Sequence, residues 1–377
     1  MSRVLPRPAV VIATEVVPPD ARLAGRTIHP WAWWGWALGA GAAVTLASNP
    51  LLLVLLVGAV TFVVLQRRTK APWARSLKLY FAMAGVVIAV RLVFQILIGG
   101  LREGTVLFTL PEIELPGWAA GIRLGGPVTI EGLVYTAVDA GRLAGLLICI
   151  GAANALANPK RALRNVPAAF HQIATALVIA ISVAPQLVES VLRVRRARRL
   201  RGGVRPGVKG LISIIVPVLE DAIDRSLALA AGMESRGYGR TRTGRGLDWR
   251  LGLLLVAAMA AITFGAFALL GLPGAGSWAV PLLLVGLGAG AYGLHRAGDD
   301  LATSRYRPDP WGAPEYLVIG CGLATAGLAI WLVSTDPAMT FGAFPLTWPQ
   351  LSWPMLLAAA VAALPGLLTP EPPKDAA

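Results

Sequence analysis

Residues 48–65 read SNPLLLVLLVGAVTFVVL, and from Leu51 to Leu65 they carry no charge. Such a run suits a helix in hydrocarbon, where each backbone N–H and C=O must find its partner within the segment. The Ser48-Asn49-Pro50 turn joins it to a second apolar run, Trp31 to Ala47, so the two form a tight helical hairpin. Working outward, further runs cover about Leu79–Gly100, Glu131–Ala155, Leu251–Gly271, Ser277–Leu294, Tyr316–Ser334 and Trp353–Leu368. Eight crossings are expected.

Composition agrees. Of 377 residues, 56% are hydrophobic and 14% charged, against about 25% charged in soluble domains. The net charge of +14 does not point to nucleic acid, because the cations sit between apolar runs and not on a soluble face among exposed aromatics. Cys149 and Cys321 lie inside apolar runs without a second ligand at metal spacing and read as packing residues. His29, His171 and His295 are too dispersed for a metal site and read as surface or interfacial residues. Trp31, Trp33, Trp34, Trp36, Trp278, Trp348 and Trp353 lie near run ends, as headgroup anchors do.

Lys and Arg are retained on the cytoplasmic side, so counting them tests the topology. Residues 1–30, 66–78, 155–250, 295–315 and the C-terminal tail fall on one side and hold 30 of the 34. The other side receives only Arg102 and Arg123. Both termini are therefore expected in the cytoplasm. The chain divides into an N-terminal tail (1–30) that does not read as a signal peptide, four crossings (31–155), a cytoplasmic helical block (156–250), a fifth crossing (251–271) and an extension (277–377) with about three more. The interval TVLFTLPEIELPGWAAGIRLGGPVTI, between the third and fourth crossings, has the short alternating runs of a small β-hairpin.

The block 155–250 holds 17 of the basic residues interleaved with helical apolar periodicity. From Pro185, the sequence PQLVESVLRVRRARRLRGG sets Leu187, Val188, Val191, Leu192, Val194 and Ala197 toward one side and Arg193, Arg196 and Arg199 on another, before Gly202-Gly203 ends the helix. A second helix, about Leu211 to Arg236, repeats Ile212, Ile215, Leu219, Ile223, Leu227, Ala230 and Met233. Its other face carries Glu220, Asp221, Asp224 and Glu234, read as solvated charges, and Pro217 lies in its first turns. Each helix ends in an Arg-centred triplet, Ala197-Arg198-Arg199 and Ser235-Arg236-Gly237. Arginine near a helix C-terminus offsets the dipole by ~0.3–1 kcal/mol. Retention in the cytoplasm needs charge but not two apolar stripes, so partner docking accounts better for the pair, with Arg forks on carboxylates or carbonyls and stripes in a groove.

Within the crossings, Asp139 and Arg142 share a helix face, and Arg91 lies in the third run. A mid-membrane charge costs ~2.5–3.5 kcal/mol on insertion scales, so Asp139 is expected to pair with Arg142 or with Arg91, the alternative being that these charges contact a mobile partner subunit.

Four stretches resemble the transmembrane T component of energy-coupling factor (ECF) importers, the EcfT/CbiQ family. These are Ile28-His29-Pro30, Ser48-Asn49-Pro50-Leu51-Leu52-Leu53, Glu131-Gly132-Leu133 with Asn158-Pro159-Lys160-Arg161-Ala162-Leu163, and the two Arg triplets, the second within AGMESRGYG. The likeness covers about residues 25–272, and the three spans beyond Gly271 are absent from a typical member. It implies a scaffold with no catalytic residue, bridging two cytosolic ABC ATPase subunits and a membrane-embedded substrate-binding S component for uptake of a vitamin or metal ion. ATP would be bound by the ATPases; the chain has no GxxxxGK[ST] phosphate loop, and no cofactor or metal of its own is expected. By the resemblance, Arg198 and Arg236, within their triplets, dock into the ATPases. Leu187, Val191, Ile215, Leu219, Ile223, Leu227 and Met233 form the platform for the S component. A membrane enzyme holding phosphate on the Arg cluster would need acidic metal ligands, for which Glu220, Asp221 and Asp224 are the candidates. A third reading lays the basic block on anionic lipid, which explains the charge but not the paired stripes.

Overall fold

The computed structural model describes residues 27–69, 77–99, 104–114, 123–166, 168–200, 208–238, 249–272, 274–299, 309, 311–339, 341–342 and 346–370. The N-terminal tail to residue 26, Arg102 and the side chain of His171 lie outside the described residues. Among the described residues the fold is all-α apart from one hairpin, and the chain forms two compact units, residues 1–159 with 310–377, and residues 160–309.

The first unit contains α1 (Pro30–Leu46), α2 (Pro50–Arg67), α3 (Leu77–Ile98), β1 (Val106–Glu114), β2 (Arg123–Thr129) and α4 (Ile130–Leu156). Helices α1 and α2 start by the same device. The His29 and Asn49 side chains accept from the Trp31 and Leu51 N–H groups, at 3.3 and 2.9 Å, with Pro30 and Pro50 in the first turn. Proline suits that place because its missing N–H would be unpaired there anyway. Strands β1 and β2 pair antiparallel, as the alternating runs suggest. The bilayer-facing pattern places Leu52, Leu56, Val60, Val63 and Val64 of α2 in the core with Val44 of α1.

The second unit contains α5 (Pro159–Arg164, with Pro159 at the boundary), α6 (His171–Leu200), α7 (Val208–Ser235), α8 (Trp249–Gly271) and α9 (Gly276–Asp299). Helices α8 and α9 form a hairpin closed by glycines. A Cβ at Gly265 would meet Leu283 at 2.9 Å, and one at Gly286 would meet Ile262 at 2.9 Å.

The remaining helices, α10 (Ala313–Thr335), α11 (Trp353–Ala363) and α12 (Pro365–Leu368), belong to the first unit. Helix α10 lies against α1 so closely that a Cβ on Gly322 would sit 2.5 Å from the Trp36 Cα. The Trp36 indole N–H donates to the Ala362 carbonyl at 3.0 Å, and the Asn49 amide donates to the Ala338 and Gln350 carbonyls at 2.8 and 2.7 Å. Arg67 donates to the Gly366 carbonyl at 2.8 Å. Residues 313–368 thus complete the core around the N-terminal hairpin.

Among the described residues, seven helices are long and apolar enough to cross a membrane: α2, α3, α4, Gln172–Leu200 of α6, α8, Gly276–Gly298 of α9, and α10. Six of these match expected crossings. The expected first crossing is a 17-residue helix, and the expected eighth is an 11-residue helix interrupted at Leu364. The seventh is α6. It begins 14 residues before Pro185, in the apolar stretch HQIATALVIAISVA, and runs through that proline. Pro185 is therefore not its start.

Candidate functional site

The two Arg triplets are carried by α6 and α7, which the structure pairs through a polar crossing. The Ser190 hydroxyl donates to Asp221 Oδ2 at 2.8 Å. Arg225, one turn after Asp221, holds the same carboxylate with two nitrogens at 3.0 and 3.1 Å and donates to Gln186 Oε1 at 3.1 Å. The Ser190 hydroxyl first, and then Arg225, hold the Asp221 carboxyl below its usual range, while desolvation opposes them. Asp221 is therefore committed to the helix crossing and is not the solvated charge expected from the sequence. This also removes it from the acidic trio that a phosphate-handling enzyme would need.

These contacts fix the direction of the pair. Ser190 meets Asp221, Gln186 meets Arg225, and Thr175 Oγ1 meets the Tyr238 hydroxyl at 2.6 Å. Ascending numbers on α6 meet descending numbers on α7, so the helices are antiparallel. Arg236 lies beside the end of α6 that carries Thr175, while Arg198 lies in the last turn of α6. At 1.5 Å of rise per residue, the two triplets are about 35 Å apart along the pair.

The triplets also differ in local construction. Ala197, Arg198 and Arg199 remain inside α6, with Arg198 half-buried and its neighbours exposed. Ser235-Arg236-Gly237 forms a helix stop. Gly237 has φ +70°, its N–H donates to the Glu234 carbonyl at 2.9 Å, and the Tyr238 N–H donates to the Met233 carbonyl at 3.0 Å. This pattern closes the helix with a left-handed residue, a role that suits glycine, and it sets Arg236 at the cap.

The predicted platform does not pack against α6. Ile215, Leu219, Ile223 and Leu227 are exposed, with Leu219 at 56% and Leu227 at 63%; Leu187, Val191 and Met233 are half-buried. The contacts to α6 use the face with Asp221 and Arg225 instead. The apolar stripe of α7 is left uncovered by the described residues of its own unit.

The three charges Arg91, Asp139 and Arg142 within the spans of the first unit are engaged. Asp139 pairs with Arg91 and not with Arg142. Arg142 instead donates to the Ala47 carbonyl at 2.8 Å and to Ser48 Oγ at 2.7 Å, satisfying the end of α1. In the second unit, Arg161 pairs with Asp309 at 3.0 Å, and Asn165 donates to the same carboxylate at 2.7 Å.

Two expectations are corrected. His29 is buried at the start of α1, its N–H donating to Glu315 Oε1 at 3.3 Å and its ring 4.7 Å from that of Trp311. Trp33 and Trp36 are core residues, not headgroup anchors, because α10 and α11 cover the face that sequence alone leaves open. Trp278, Trp348 and Trp353 are exposed, and Cys149 and Cys321 are buried. The polar crossing was not foreseen, although the Asp221–Arg225 spacing of four residues was a visible sign of a same-face pair.

The sequence profile of the CbiQ family, described as cobalt transport protein, matches residues 32–245. That span includes the Asn49-Pro50 helix start, the membrane charges and the whole α6–α7 pair. The chain belongs to the CbiQ family. Proteins called energy-coupling factor transporter transmembrane protein EcfT are similar to it. The one from Bacillus subtilis is 29% identical over 120 residues, 28% of this chain and 44% of the relative. That from Brevibacillus brevis is 35% identical over 101 residues, 24% and 38% respectively. For Exiguobacterium sibiricum the values are 29% over 155 residues, 37% and 56%. The chain thus matches about half or less of the length of these relatives. As a CbiQ-family member with seven span-length apolar helices among the described residues, it is a multi-pass protein of a prokaryotic cell membrane. Helices α8 to α12 lie beyond the matched residues.

Proposed function

We propose that this chain is the non-catalytic scaffold of an ATP-driven importer, receiving motion from two cytosolic ABC ATPases and passing it to a membrane S component that carries a vitamin or metal ion. The observation that carries this reading is the antiparallel α6–α7 pair with one Arg-centred triplet toward each end. One lever with two separated cationic ends suits two separate partners. ATP is held by those partners, and this chain contributes Arg198 and Arg236 as donors to them. The uncovered stripe with Ile215, Leu219, Ile223 and Leu227 is the platform for the S component, an apolar helix face matched to a groove of another subunit.

Both termini and the α6–α7 pair are placed in the cytoplasm. Lys160, Arg161 and Arg164 precede α6, and Arg193, Arg195, Arg196, Arg198 and Arg199 crowd its end. A crossing by α6 would divide these cations between the two sides, against the retention of Lys and Arg in the cytoplasm. The apolar first half of α6 is better used against the S component or the membrane surface.

The test is co-purification from cells that express all subunits. Wild type brings down both ATPases. Arg198→Glu with Arg236→Glu loses them and uptake, with the melting temperature of the isolated chain unchanged, and each single variant weakens one attachment. Unchanged ATPase recovery and uptake in the double variant would refute the assignment.

A further inference from the structure

The hairpin between α3 and α4 has no part in the coupling mechanism, and its two strands are treated differently. Strand β2 is covered: Gly125, Gly126, Val128 and Thr129 are buried. Strand β1 is bare, with Val106 at 50%, Leu107 at 53% and Phe108 at 47% exposure, and Thr109 also exposed. Leu107 is the extra residue of a bulge between the Val106–Thr129 and Phe108–Val128 pairs. Phe108 and Thr109 point to opposite faces, as successive strand residues do, so neither face is covered. The sheet has only these two strands among the described residues, which leaves the outer edge of β1 unpaired.

The base of this strand is fixed to a membrane helix. The Thr105 N–H and hydroxyl donate to the Glu131 carboxylate at 2.8 and 3.0 Å, and the Ile130 N–H donates to the Thr105 carbonyl at 3.1 Å. Gly104 has φ +114°, and a Cβ there would run into that carboxylate. Glu131 is in the first turn of α4, whose 27 residues span about 40 Å against a hydrocarbon core of ~30 Å. The end of α4 therefore reaches the headgroup layer. Phe94 and Leu97, exposed near the end of α3, continue the bilayer-facing surface toward the hairpin.

We propose that Val106, Leu107 and Phe108 are immersed in the headgroup–acyl boundary of the bilayer at this end, so that the hairpin is an interfacial anchor setting the depth of α3 and α4. A lipid surface fits better than a protein partner because the exposed residues wrap the strand, whereas a docked protein would cover one face or the edge. The unpaired edge excludes the hydrocarbon itself, where no water or phosphate could satisfy it. Glu112, also exposed, lies six residues along, about 20 Å from Val106, which takes the strand from the interface into water.

The test uses the full chain in phosphatidylcholine–phosphatidylglycerol nanodiscs, with Cys149 and Cys321 replaced by alanine and single nitroxide labels at positions 107, 108 and 112. Power saturation is compared with oxygen, which concentrates in lipid, and with a water-soluble nickel chelate. The oxygen-to-nickel accessibility ratio is expected to be several-fold higher at 107 and 108 than at 112. Equal ratios at all three sites would overturn the proposal, as would exclusion of both reagents at 107 and 108, the mark of a protein cover. A second measurement needs no substitution: lipids with a photoreactive group near the headgroup should attach to residues 106–108 of the wild-type chain, and attachment confined to α3 and α4 would also overturn it.

Discussion

Helices α2 and α7 both carry regular apolar rows, yet one row is lost from view and the other is not. Leu52, Leu56, Val60 and Val63 of α2 are fully buried, closed in by α11 and by the hydrogen bonds of Asn49 and Arg67 to the C-terminal segment. Ile215, Leu219, Ile223 and Leu227 of α7 remain exposed, while the polar Ser190–Asp221–Arg225 crossing holds that helix to α6. Apolar packing joins elements meant to stay together. A polar crossing with bare stripes leaves surface for another molecule.

The sharpest way to break this contrast is at Gly39. A Cβ there would enter the carbonyl of Gly322, so Gly39→Leu must force α1 from α10. Overpacking of this kind reaches or exceeds about 3 kcal/mol, and the variant should lose its monodisperse peak in size-exclusion chromatography. Leu219→Ser is the counterpart on the open stripe. It should change the melting temperature of the isolated chain little, within the about 0.5 kcal/mol usual for exposed sites, but weaken recovery of the S component.

The membrane charges come next. Asp139→Leu leaves Arg91 without its carboxylate, at a cost of ~2.5–3.5 kcal/mol if the charge remains near mid-membrane. Arg91→Leu in the same chain should restore most of that stability in thermal melts in detergent. If the double variant is as unstable as the single one, the pair is not what balances Arg91.

Much of this arrangement was legible in the sequence. Helical periodicity located α7 and the end of α6, and the cost of a charge inside a span marked Asp139 as needing a partner, although the three-residue spacing to Arg142 did not identify which one. Two kinds of feature were hidden. Pro185 read as a helix start because proline favours the first turn, whereas α6 runs through it. The burial of Trp33 and Trp36 depends on Gly322 and Ala362, about 290 to 330 residues away in the chain, and no local pattern encodes a contact that distant. The likeness of His29-Pro30 and Asn49-Pro50 as helix starts was visible as a motif. Their bonds to Glu315, Ala338 and Gln350 were not.

A smaller effect separates the two triplets. Gly237 adopts φ +70°, which costs an alanine about 1 kcal/mol. Gly237→Ala should therefore fray the end of α7 and weaken the ATPase attachment through Arg236. The attachment through Arg198, inside a continuous helix, should be unaffected, and cross-linking each triplet separately to its partner measures the difference.

The weakest expected effect is acid dependence of the α6–α7 crossing. Ser190 and Arg225 lower the Asp221 carboxyl below its usual value, so the folded pair favours the ionised form more than a free chain does. The stabilisation from this site is then fully present above the ordinary aspartate value of about 3.9 and is lost as pH falls through the lower folded value. Spin labels at Val188 and Leu219, both exposed, report the separation of the helices. Their distance distribution should be narrow at neutral pH and broaden on acidification below that range. Asp221→Asn should be broad at every pH, and Ser190→Ala should move the transition upward, because removing the hydroxyl donor lets the carboxyl protonate sooner. A distribution in Asp221→Asn as narrow as wild type at neutral pH would show that apolar contacts hold this pair too, and the contrast between α2 and α7 would fail at its polar end.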